Sequence, residues 1–135
     1  MPDNLHILLV EPEALLRRTV SMTARSLGMS QVHEAASTGV AMRMVHQQRF
    51  HGAVVAVECV GSGAGQRYDL SLIDQLRADD TPGGRTMPIA ILADQATPTL
   101  LAELRERRIS RVILKPFRAK VLLETIAGFG RDGKA

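Results

Sequence analysis

Aromatic residues are almost missing from this chain, with no tryptophan, one tyrosine and three phenylalanines, or 3% of 135 positions. The core must therefore come from Leu, Val, Ile, Ala and Met, and binding modes that stack bases on aromatic rings have little to work with. Nucleic acid is thus a disfavoured partner. One cysteine, Cys59, cannot build an internal disulfide framework and fits a reducing, cytoplasmic setting. No apolar run approaches the roughly 18 residues that span a bilayer, so no membrane insertion is expected. Met1-Pro2-Asp3-Asn4 lacks the basic and apolar parts of a secretory signal. A formal charge of +3 is too small to argue for a polyanionic partner.

What is present is ordinary for a globular protein, at 45% apolar and 23% charged residues. The length suits one domain with one substantial core, read as residues 1–130 with a disordered tail at 131–135. Leu5 to Val10, broken only by His6, reads as a buried strand. Pro12 suits the first turn of the helix that follows, carried by Leu15, Leu16, Thr19, Val20, Met22, Thr23 and Leu27 and stopped at Gly28. Val32 to Ala36 is a more polar strand. Ser37-Thr38 caps a second helix with Val40, Met44, Val45 and Phe50. Gly52 to Val57 is the most apolar strand, hence central.

Gly61 to Arg67 reads as a flexible loop, after which Asp69 is placed to cap a third helix with Leu70, Leu72, Ile73 and Leu76. Asp79 to Gly84 is turn chemistry. Pro88 to Ala93 is a fourth strand, Thr97-Pro98 opens a fourth helix with Leu100, Leu101 and Leu104, and Arg111 to Leu114 is a fifth strand. A closing helix carries Val121, Leu122, Thr125 and Ile126, with a fraying tail from Gly128. Strands alternating with helices predict an α/β, flavodoxin-like doubly wound (βα)5 three-layer sandwich with parallel sheet order 2-1-3-4-5. Its crevice opens at the carboxyl ends of strands 1 and 3.

From Leu5 to about Ile126 the chain resembles the receiver domain of two-component response regulators (CheY-like). The most specific stretches are Val10-Glu11-Pro12-Glu13-Ala14-Leu15-Leu16-Arg17 and Leu114-Lys115-Pro116-Phe117. The resemblance implies an acidic pair after strand 1 and an aspartate ending strand 3, which bind Mg²⁺ and accept a phosphoryl group from a histidine kinase. It also implies a Thr or Ser ending strand 4, an aromatic on strand 5, and a Lys that holds phosphoryl oxygens. Glu11 falls on the first acidic position and Pro12 on the second, with Glu13 after them. The acceptor position falls on Val57, or on Ala56 under a one-residue shift. Ala93 stands at the hydroxyl position and Val112 at the aromatic one, while Lys115 matches. Valine offers no lone pair for attack, and little is left to position a phosphoryl group.

The expectation is a pseudo-receiver that is not an enzyme and lacks the phosphoacceptor aspartate. Glu11 and Glu58 are carboxylates that could still hold a cation, so metal binding is weakened rather than excluded; no cofactor is expected and Mg²⁺ binding is disfavoured. Glu58 has two readings: slipped into the crevice against Lys115 as a phosphoaspartate mimic or displaced acceptor, or facing elsewhere because strand side chains alternate. Lys115 is expected to pair with Glu11, and Lys115-Pro116 is a candidate cis bond.

The resemblance further implies an interaction face on helix 4, strand 5 and helix 5. Arg105, Arg107, Arg108, Arg111, Arg118 and Lys120 make it basic around Val112. Expected partners are a histidine kinase, another response regulator, an output protein or a second copy. The alternative is an anionic nucleotide gripped by arginines, as in a few receiver relatives that bind cyclic dinucleotides. Gly61 to Gly65 lacks the Gly-Lys-Ser/Thr of a phosphate-binding loop. Cys59 has no adjacent cation to activate it. His6, His33, His46 and His51 show no ligand spacing and are assigned no function, and the methionines read as core filler.

Overall fold

A computed structural model describes residues 5–26, 28, 31–61, 67–78, 86–109 and 111–132, of which 130–132 are described as backbone only. Strands β1 (His6–Val10), β2 (Gln31–Ala35), β3 (Gly52–Ala56), β6 (Ile89–Ala93) and β7 (Arg111–Leu114) form one parallel sheet in the order β2-β1-β3-β6-β7. This is the flavodoxin-like winding expected from the alternation of elements. Between them run α1 (Ala14–Ser26), α2 (Thr38–Gln47), α3 (Ser71–Arg77) and α4 (Pro98–Glu106), and α5 (Ala119–Asp132) closes the chain. The segment after β3 adds a two-residue antiparallel hairpin, β4 (Cys59–Val60) with β5 (Arg67–Tyr68), where the sequence suggested only a loop; residues 62–66 lie outside the described residues.

Because strand side chains alternate, the sheet divides the core in two. Leu8, Val10, Val55 and Ile91 pack with α2, α3 and α4. Ile7, Leu9, Val54 and Leu92 pack with α1 and α5. The central strands β1, β3 and β6 are buried on both faces, which is why they read as unbroken apolar runs.

Two caps agree with the sequence: Ser37 Oγ accepts from Val40 N, and Thr97 Oγ1 from Leu100 N ahead of Pro98. Others differ. Pro12 lies ahead of α1 rather than inside its first turn. Asp69 does not cap α3, whose N-cap is Leu70; Asp69 instead accepts from Ser71 N and Ser71 Oγ, closing a local turn. On α1 the buried stripe is Val20, Ser21 and Ala24, and Leu15 (75%) and Met22 (61%) are exposed, contrary to the periodic reading.

The final helix does not fray at Gly128 but continues to Asp132, so 131 and 132 are helical; 133–135 lie outside the described residues, as does the turn at 79–84. The physical reason is Phe129, completely buried against Gly52 of the central strand. A Cβ on Gly52 would lie 2.5 Å from the Phe129 ring, so the ring occupies the space that the missing side chain leaves. Burying a phenylalanine is worth ~1.5–3 kcal/mol. That offsets the roughly 1 kcal/mol each helix glycine costs.

Candidate functional site

The sheet register lines up the residues that matter. Val10 pairs with Val55, Ala56 with Leu92, and Ala93 with Leu114. One step further, Glu11 N donates to Ala35 O, Val57 N to Leu92 O and Lys115 N to Ala93 O. Glu11, Val57 and Lys115 therefore each stand as the first residue past a strand's carboxyl end, along a single edge.

Across that edge Lys115 Nζ donates to Glu11 Oε1 at 2.7 Å, the pairing expected from the sequence. The Glu11 side chain is 3% exposed and that of Lys115 23%. Glu11 is further fixed by Glu13 N, which donates to its Oε2, and by Arg17 Nη1, which donates to its carbonyl. Arg17 is in turn held by Glu34 Oε1 at 3.3 Å. The Lys115-Pro116 peptide is cis.

The other crevice positions carry no polar side chain. Val57 is buried in the α2–α4 half of the core, Ala56 packs partly on the opposite half, and Ala93 is fully buried. Glu58 does not meet Lys115. It is exposed, and its side chain makes no hydrogen bond or ion pair among the described residues. Its carbonyl accepts from Asp69 N, and it lines a cavity of about 280 Å³ at the carboxyl ends of β1 and β3, with Val10, Pro12, Ala56, Asp69 and Ser71. A second, larger cavity of about 510 Å³ opens on the other side, where Lys115 and Phe117 meet Leu15 and Leu16 under the acidic Glu13 and Asp94.

This donor set does not fit Mg²⁺, which needs oxygen ligands from one or two free carboxylates. One Glu11 oxygen faces an ammonium and the other a backbone N–H, Pro12 and Val57 bring no side-chain oxygen, and Glu58 pairs with neither Glu11 nor Lys115. Among the described residues no three His, Cys, Asp or Glu side chains converge as metal ligands.

The expected basic face is only partly assembled. Arg105, Arg108, Arg118 and Lys120 are exposed around β7, a sheet edge, with Val112 half-buried beside them. Arg107 turns instead to α3, with Nε 2.6 Å from Asp74 Oδ1 and Nη1 donating to Glu103 O. The Asp74 hydrogen bond raises the Arg107 pKa above its ordinary value. Arg111 Nη1 reaches Thr125 O on α5. Sequence reasoning missed the apolar component of this surface: Leu101, Leu114 and Val121 are 37%, 48% and 43% exposed, one from each element of the face. Leu101 and Val121 read as members of their helices' apolar stripes because apolar spacing alone cannot separate the centre of a stripe from its flank.

No family model matches the chain. Among curated proteins, it is 26% identical over 120 residues to the chemotaxis protein CheY of Pseudomonas aeruginosa, covering 89% of this chain and 91% of that one. Among solved structures, chemotaxis protein CheY4 of Vibrio cholerae superposes with a TM-score of 0.75 at 21% identity, over 90% of this chain and 95% of that one. A CheY-like receiver domain from Methanospirillum hungatei gives 0.78 at 16%, over 96% of each chain. The receiver domain of a Pseudomonas aeruginosa sensor histidine kinase, solved with magnesium in its active site cleft, gives 0.74 at 23%, over 95% of this chain and 98% of that one. The chain thus has the fold of these CheY-like receiver structures, and its sequence is similar to that of a chemotaxis CheY over most of both chains. Among the described residues no helix is long and apolar enough to cross a membrane.

Proposed function

We propose that this receiver-type domain acts as a protein interaction module in two-component signalling without forming a phosphoaspartate of its own. The observation that carries this reading is the Lys115–Glu11 pair. A lysine in this place would serve a transferred phosphoryl group by meeting its oxygens; here it is neutralised at 2.7 Å by a buried carboxylate. The acceptor position is filled by Val57, a core side chain, and the hydroxyl position by Ala93. Phosphoryl transfer depends on positioning and on charge neutralisation around a metal. The remaining carboxylate beside the crevice, Glu58, pairs with neither Glu11 nor Lys115.

Output then rests on surfaces. Leu101, Leu114 and Val121 are exposed on α4, β7 and α5, and Arg105, Arg108, Arg118 and Lys120 are exposed on the same elements or the residues next to them, a mix of apolar and basic side chains suited to binding a protein. A kinase, a second regulator, an output protein or another copy of the chain are the candidate partners. The test is incubation with acetyl phosphate and Mg²⁺ followed by intact mass. An unchanged mass is expected. A stable phosphoryl adduct, mapped to Glu58 or any other carboxylate, overturns the reading.

A further inference from the structure

The end of the sheet opposite the crevice carries a cluster that has no part in the reading above. His6 on β1, His33 on β2 and His51 just before β3 lie 27 and 45 residues apart from His6 in sequence, yet they touch. His6 Nδ1 and His33 Nε2 are 3.0 Å apart, with ring centroids at 5.2 Å. His6 backbone N donates to His51 Nδ1 at 2.9 Å, and the two rings stack at 6.1 Å. Phe50 meets His33 edge-on at 5.3 Å, and the Gln48 amide reaches His6 Nδ1 at 3.5 Å.

We propose that His6, His33 and His51 form an acid-sensitive clasp, which holds edge strand β2 and the α2–β3 junction to β1 and opens when the His6–His33 pair takes its second proton. Proton counting gives the mechanism. One hydrogen between His6 Nδ1 and His33 Nε2 makes a good bond, and the pair tolerates one added charge because one ring still offers a lone pair. A second added proton sets two N–H groups against each other at 3.0 Å. His51 accepts from His6 N through the lone pair on Nδ1, so its own hydrogen sits on Nε2.

The surroundings oppose charging. Burial first, then the positive fields of His6 and of Arg25 on α1, hold His33 below its ordinary value of 6.5. Arg25 is kept near by its bond to Val32 O. From β2 the neighbouring acid, Glu34, is engaged by Arg17; from the α2–β3 junction come only Gln48, Phe50 and His51. The sign follows from a lowered folded pKa on a base. The unfolded chain takes the proton near 6.5 while the fold refuses it, so the contribution is whole above 6.5 and is lost as pH falls below it.

The test is thermal unfolding from about pH 7.5 to about pH 5.5, the range where histidines titrate. It is run on the wild type, His33→Gln and His46→Gln, the last altering an exposed histidine of α2 that is outside the cluster. The wild type and H46Q should lose melting temperature steeply below pH 6.5, and H33Q should be nearly flat. In case H33Q folds poorly, NMR of the wild type supplies a second readout. The His6 and His33 ring protons should titrate as a coupled pair in two steps, with amides of β2 (Val32, Ala35) losing exchange protection before those of β3 (Val54, Val55). Parallel acid limbs in all three proteins, or two independent one-proton titrations at ordinary values, overturn the clasp.

Discussion

Lysine 115 and glutamate 11 are unequal partners, and that inequality makes a quantitative prediction. At 2.7 Å their attraction is roughly 6 kcal/mol for an effective dielectric near 20, most of it offset by the cost of taking both groups from water. Lys115→Met removes the partly exposed member and strands a carboxylate whose side chain is 3% exposed. Breaking a fully buried pair costs about 3–5 kcal/mol. With 23% exposure on the lysine side, the low end applies, about 3 kcal/mol. Glu11→Gln leaves an ammonium on a flexible stem that reaches solvent, so about 1 kcal/mol is expected. The double variant removes both charges and should cost less than the sum of the two, a coupling of about 2 kcal/mol. Urea unfolding at neutral pH measures all four proteins, and the coupling should persist in high salt because the pair is shielded from screening. Single-variant losses that are equal, or that add to within about 0.5 kcal/mol, would refute the reasoning.

Among the described residues Ser21 Oγ is buried without a hydrogen-bond partner. Ser21→Ala should therefore leave stability unchanged or raise it by up to about 1 kcal/mol, and a clear loss in urea midpoint would reveal a partner. Gly52→Ala should cost about 1–3 kcal/mol through collision with the Phe129 ring, and pairing it with Phe129→Leu should recover part of that loss. Asp74→Asn at the Arg107 contact should cost at most about 1 kcal/mol, because the aspartate side chain is 56% exposed; salt should erase the difference. Leu114→Glu should leave the melting temperature nearly unchanged while abolishing any concentration-dependent association through the β7 edge, as read by light scattering.

The sheet was legible because its signals are local. Two-sided burial wrote β1, β3 and β6 as apolar runs, and Ser37 and Thr97-Pro98 announced their helices. The Lys115–Glu11 pair was legible through resemblance, since both positions belong to one crevice in the family. What could not be read depended on contacts between distant segments. Nothing near Phe129 in the sequence says that a glycine 77 positions earlier leaves room for its ring. The three histidines looked scattered because parallel pairing, not spacing, gathers them: with Leu8 opposite His33, His6 becomes its diagonal neighbour on the same face. Arg107 shares a basic run with Arg105 and Arg108, yet Asp74 draws it to another helix. Exposure failed at Leu15, Leu101 and Val121 for one reason: apolar residues at helical spacing fill both the inward stripe and its margins.

The fit of Phe129 against Gly52 has a mechanical meaning. The last helix is not tethered to the periphery of the domain; its buried ring rests on the middle strand of the sheet. A load applied at the carboxyl-terminal end of α5 would run through that ring into β3, one residue row away from both β1 and β6. The end of the helix is thus a handle on the centre of the molecule, and strain arriving there is shared by the whole sheet before any outer strand feels it alone.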